Sequence, residues 1–162
     1  ILSDTVLFKS PTCTPRDKRM AERLARIAGI DLDTLGREMF SAASSADKPV
    51  ETLINTDFKE FHIAGHALGI SQITCLSPDS VLDRMDELLP AMEKLRNLRG
   101  YDMVLLMVTD VLRCGTELVF LGGEDIIEEA FDTGKLTGQH VFLPGVVSRK
   151  KQIVPALSAL WG

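Results

Sequence analysis

The run MVLLMVTDV, Met103 to Val111, decides the fold class. It is apolar without alternation from Met103 to Val108, the pattern of a strand buried on both faces. It is far too short to cross a bilayer, which takes about 20 apolar residues. The rest of the chain must therefore cover it on two sides. Upstream, Ser77-Pro78 opens a helical stretch to about Arg99. Val81, Leu82, Met85, Leu88, Leu89, Met92 and Leu95 lie on its apolar side, and Pro90 is the expected kink. Before it, Phe58 to Ile63 and Leu68 to Cys75 read as two strands around Ala64-Gly65. After the central run come a strand over Thr116 to Leu121, a helix over Glu124 to Asp132, and a short strand over His140 to Leu143. A final helix follows, with Ser148 as its N-cap. This order predicts an α/β fold with a mixed sheet of about five strands and helices on both faces.

The first third reads as helical, apart from a strand expected over Asp4 to Ser10 (DTVLFKS). The turn Ser10-Pro11-Thr12-Cys13 leads to Thr14 as an N-cap, with Pro15 at the first helical position and Asp17 at the third. Met20, Leu24 and Ile27 recur at helical spacing, and Gly29 ends that helix. Asp31 caps a second helix with Leu32, Leu35, Met39 and Phe40 on its apolar face. Pro49 starts a short third helix through Ile54. Ser41 to Lys48 is the most linker-like stretch but is too short to separate domains, so residues 1–162 are expected to form a single domain.

Charge and composition narrow the function. Eighteen Lys and Arg against 23 Asp and Glu give a net charge of −5. That argues against a general nucleic-acid binder while leaving room for a small anionic ligand held by a local cluster of cations. Cys13, Cys75 and Cys114 form an odd, widely spaced set with no CxxC, as in a protein whose thiols stay reduced. No charged-then-apolar leader precedes the apolar runs, so a cytoplasmic protein with no membrane association is expected.

The stretch Ser148-Arg149-Lys150-Lys151-Gln152 carries the clearest chemistry. Three cations open a helix, where the dipole favours anions. Cations beside first-turn N–H groups make an anion site. Arg149 can grip a phosphate with two hydrogen bonds and Lys150 can act as a point charge. A solvated basic turn is the plain alternative. Lys9, at the end of the expected first strand, is a second candidate for facing a ligand, against a simple strand-end lysine. His62 and His66 have i,i+4 spacing, but Gly65 between them indicates a hairpin rather than a helical metal pair. Asp31 and Asp33 coincide with a helix start, where caps are expected. Gly122-Gly123 lacks a nucleotide-binding pattern, and no catalytic constellation stands by itself.

Taken together, Asp4-Thr5-Val6-Leu7-Phe8-Lys9-Ser10-Pro11-Thr12-Cys13-Thr14 and Val146-Val147-Ser148-Arg149-Lys150-Lys151-Gln152-Ile153-Val154-Pro155 resemble the start and the SRKKQ signature of the C-terminal, DHH-associated domain of family II inorganic pyrophosphatases. The hairpin ending Ile70-Ser71-Gln72-Ile73 and the strand ending Val108-Thr109-Asp110 fall in the matching order. The resemblance implies a two-domain enzyme. Its N-terminal DHH domain would bind Mn²⁺ or Co²⁺, with Mg²⁺, through Asp and His ligands. Its C-terminal domain would supply cations to pyrophosphate. Carried over by motif, the substrate-binding residues are Lys9, Arg149 and Lys150. This chain has no Asp-His-His triplet, and it opens on Ile1 rather than Met. The expectation is therefore a substrate-binding domain without its metal-binding half, holding no metal of its own, inactive alone and mainly monomeric. A related DHH-type exopolyphosphatase and a stand-alone anion-binding module are the other readings.

Overall fold

A computed structural model describes residues 1–42 and 48–161; most of the linker-like stretch expected at 41–48 lies outside them. Five strands form one mixed sheet in the order β1 (Lys59–Ile63), β2 (His66–Cys75), β3 (Met103–Asp110), β4 (Gly115–Leu121) and β5 (His140–Pro144). Only β2 and β3 are parallel; the other neighbours are antiparallel. All eight residues of β3 are buried, as its unbroken apolar run demands.

Strand alternation divides the core in two. Val104, Leu106 and Val108 join Ile73, Val81, Leu88 and Met92 on one face, beneath α3 (Val50–Ile54), α4 (Asp79–Leu82) and α5 (Met85–Arg99). Met103, Leu105 and Met107 join Leu68, Ile70, Leu118 and Phe120 on the other, beneath α6 (Glu124–Phe131) and α7 (Val154–Trp161). Each large apolar side chain fully removed from water contributes about 1.5–3 kcal/mol before entropy is counted. The two faces together make the fold self-supporting, with helices on both sides of the mixed sheet as expected.

Four expectations need correction. The segment over Asp4 to Ser10 is no strand but a chain of turns, with Val6, Leu7 and Phe8 at positive φ. It is pinned by Val6 against Phe40 and Val111, and by Leu7 lying where any side chain on Gly36 would clash. In α1 (Pro15–Ala28) the capping box of Thr14 and Asp17 and the left-handed Gly29 terminus are present. The buried face, however, is Ala21 and Ala25, whereas Leu24 and Ile27 are 53% and 74% exposed. The expected single helix from Ser77 to Arg99 is broken at Asp83-Arg84 rather than at Pro90, which lies inside α5. At the break Arg84 forks onto Glu87 at 3.1 and 2.9 Å and also bonds the Lys48 carbonyl. The last helix opens as a π-helical turn, Arg149–Ile153, in which the N–H groups of both Gln152 and Ile153 donate to the Ser148 carbonyl.

Asp31 caps α2 (Leu32–Ala42) by accepting the Thr34 N–H at 2.8 Å. His62 and His66 lie on opposite strands of the β1–β2 hairpin, so helical metal spacing does not apply to them. Among the described residues no helix is long and apolar enough to cross a membrane.

Candidate anion-binding site

The alternation that builds the second core face also builds the site. Lys59, Phe61 and Ile63 share one side of β1; Leu68, Ile70, Gln72 and Thr74 share the same side of β2, since Lys59 pairs with Ile70 and Phe61 with Leu68. Towards the C-terminal ends of β2 and β3, apolar residues on this face give way to Gln72, Thr74 and Thr109. There a cleft of about 630 Å³ opens. The chain of turns at the N-terminus contributes Asp4, Val6, Ser10 and Thr12 to it; Asp57 comes from the turn before β1 and Lys59 from its first position; Ser148, Arg149 and Lys150 come from the start of the last helix.

The loop that presents Ser148 is tied down by side chains. Gln152 Oε1 accepts the N–H groups of Val147 and Ser148, both at 3.0 Å, and its Nε2 donates to the Gly145 carbonyl at 2.8 Å. Thr116 donates to the Val146 carbonyl at 2.6 Å, and Gln72 donates to the Val147 carbonyl at 3.2 Å and to the Thr109 hydroxyl at 3.1 Å. Ser148 Oγ accepts the Lys151 N–H at 3.3 Å. Of the first-turn amides expected to face a ligand, that of Lys151 is thus engaged within the protein.

Arg149 is 5% exposed. Its Nη1 donates to the backbone carbonyls of Asp57 and Ile70, the latter at 2.8 Å, and its Nη2 donates to Asp57 Oδ2 at 2.8 Å. A planar five-donor head suits this set of acceptors, as a lysine ammonium would not. Lys59 lies 3.8 Å from Asp57 Oδ1. Lys150 lines the cleft and is exposed. Arg149 and Lys150, two of the three residues singled out from the sequence, therefore share one cavity wall with Lys59. Lys9 is not among the residues lining the cleft. Its ammonium is taken by the Val111 carbonyl at 2.6 Å and the Leu112 carbonyl at 3.5 Å, beyond the end of β3.

Asp57, Lys59 and Gln72 were not legible as site residues.

The DHHA2 domain family matches residues 37–160, most of the chain. This chain belongs to the DHHA2 domain family. It is 42% identical over 162 residues to a cobalt-dependent inorganic pyrophosphatase of Clostridium perfringens, covering 99% of this chain and 29% of that protein. It is also 42% identical over 159 residues to a manganese-dependent inorganic pyrophosphatase of Methanocaldococcus jannaschii, covering 97% of this chain and 52% of that protein. A solved Methanococcus jannaschii structure, assigned to the family II inorganic pyrophosphatases, superposes with a TM-score of 0.88 at 40% identity, over 99% of this chain and 52% of that one. The chain spans about half or less of the length of these relatives.

The metals in the relatives' names find no fitting donor set here. Among the described residues no three His, Cys, Asp or Glu side chains gather as metal ligands. The carboxylate between the cleft's cations, that of Asp57, already faces Arg149 and Lys59.

Proposed function

We propose that this DHHA2 domain is the diphosphate-binding unit of a longer, metal-dependent inorganic pyrophosphatase that hydrolyses diphosphate to two phosphates. The observation that carries this reading is the gathering of Lys59, Arg149 and Lys150 around one open cleft in a chain whose net charge is negative. A highly charged anion needs several cations, since each at ~4 Å offers up to about 4 kcal/mol at an effective dielectric of 20, before desolvation. Lys59 and Lys150 would contact the anion, as would Arg149 on the side where the Asp57 carboxylate lies. Lys9 is not retained among the ligands, because two carbonyls occupy its ammonium. Ser148 and one of the Ser10–Thr12 pair, whose hydroxyls bond each other at 2.7 Å, offer a hydroxyl that can donate to phosphate oxygens.

Mn²⁺ or Co²⁺, with Mg²⁺, would come from a region of the protein outside this chain, as would the attacking water. Alone, the chain binds without hydrolysing, and it is a monomer. Its free cysteines fit a cytoplasmic setting.

Calorimetric titration with diphosphate tests this. Binding that weakens as salt rises supports the proposal. No binding at about 1 mM diphosphate, or metal-dependent phosphate release by the chain alone at ~1 s⁻¹ or faster, contradicts it.

A further inference from the structure

Two cations of the cleft, Lys59 and Arg149, are already bridged by one carboxylate. Asp57 Oδ2 accepts from Arg149 Nη2 at 2.8 Å, and Asp57 Oδ1 lies 3.8 Å from Lys59 Nζ. The Asp57 side chain is 52% exposed and lines the cleft. It therefore occupies the place where an oxyanion of a ligand would meet the same two cations. The turn between α3 and β1, where Asp57 sits at φ 44, does not itself explain the choice of residue. Asn and Gly tolerate that conformation at least as well as Asp, so the backbone alone does not call for a carboxylate.

We propose that Asp57 is an internal counter-anion that holds Lys59 and Arg149 paired in the empty cleft and lowers its affinity for diphosphate. The inference rests on the diphosphate reading of the cleft. Without Asp57, a buried guanidinium beside an exposed ammonium would bind any passing anion. With Asp57 between them, a ligand must either displace the carboxylate or accept its repulsion. Arg149 does not depend on the carboxylate for its position, because the backbone carbonyls of Asp57 and Ile70 hold its Nη1.

Asp57→Asn removes the charge while keeping an acceptor for Nη2 and a residue suited to positive φ. Asp57→Gly removes the side chain and relaxes the turn, and serves as the second variant should the asparagine substitution impair folding. Both are titrated calorimetrically with diphosphate beside the wild-type chain, at two salt concentrations. The expected result is diphosphate binding at least about fivefold tighter than wild type, with a steeper salt dependence. Unchanged or weaker binding by a folded variant overturns the inference while leaving the cleft assignment standing. Failure of the wild-type chain and both variants to bind diphosphate overturns both.

Discussion

Gln152 reaches back four residues to Ser148, its Oε1 accepting the Ser148 N–H at 3.0 Å. The same oxygen takes the Val147 N–H, and the amide nitrogen holds the Gly145 carbonyl. One side chain thus fixes the backbone from which Arg149 and Lys150 project. Gln152→Leu would strand two backbone donors. We expect a loss of about 1–3 kcal/mol in stability, read from the urea midpoint, and diphosphate binding weakened by about tenfold. Gln152→Glu keeps the acceptor and should retain more of both. Wild-type affinity in Gln152→Leu would show that the loop holds its shape without this clamp.

Tyr101, the single tyrosine, is buried, and its hydroxyl donates to Glu60. Burial first, and then the Glu60 hydrogen bond and charge, push its pKa up from 10.0 to about 12. A raised pKa in the folded state means a stabilising contribution that is whole below the unfolded value near 10 and is lost as pH rises through 12. Absorbance at 295 nm should therefore show little phenolate at pH 10.5 in the folded chain and ordinary titration in urea. Phenolate formed with a midpoint near 10 in the native protein would contradict this.

Cys75 is buried at the end of β2, and its thiol is pushed up to about 12, chiefly by burial and then by the Asp110 charge. Alkylation at pH 8 depends on the thiolate. Iodoacetamide should modify Cys13 and Cys114, both partly exposed, and spare Cys75 until the chain is unfolded. Peptide mapping by mass spectrometry reads the order directly; early labelling of Cys75 in native protein would disprove it.

What the sequence disclosed, and what it hid, follows from which forces act locally. The unbroken apolar run of β3 and the Ala64-Gly65 hairpin are local patterns, and both are realised. So are the Thr14 capping box and the Ser148 cap. The segment DTVLFKS has strand-like composition, yet tertiary contacts of Val6 and Leu7 hold it in left-handed turns that no local rule predicts for Val, Leu and Phe. In α1 the helical period is right and the face is wrong: Ala21 and Ala25 are the buried pair, and Leu24 and Ile27 are exposed. Arg149 and Lys150 stood out as a cation run at a helix start. Asp57 and Lys59 acquire meaning only once β1 lies beside β2 and Arg149 arrives from 92 residues away.

That Lys59, rather than Lys9, completes the cation set of the cleft is the point most open to a direct check. Calorimetric titration with diphosphate of Lys59→Gln and Lys9→Gln, beside wild type, decides it. We expect Lys59→Gln to weaken binding by about tenfold or more and Lys9→Gln to change it by less than about twofold, since one lysine lines the cleft and the other is bound to carbonyls elsewhere. Loss of binding in Lys9→Gln with Lys59→Gln unaffected would contradict the assignment of the cleft as the diphosphate site.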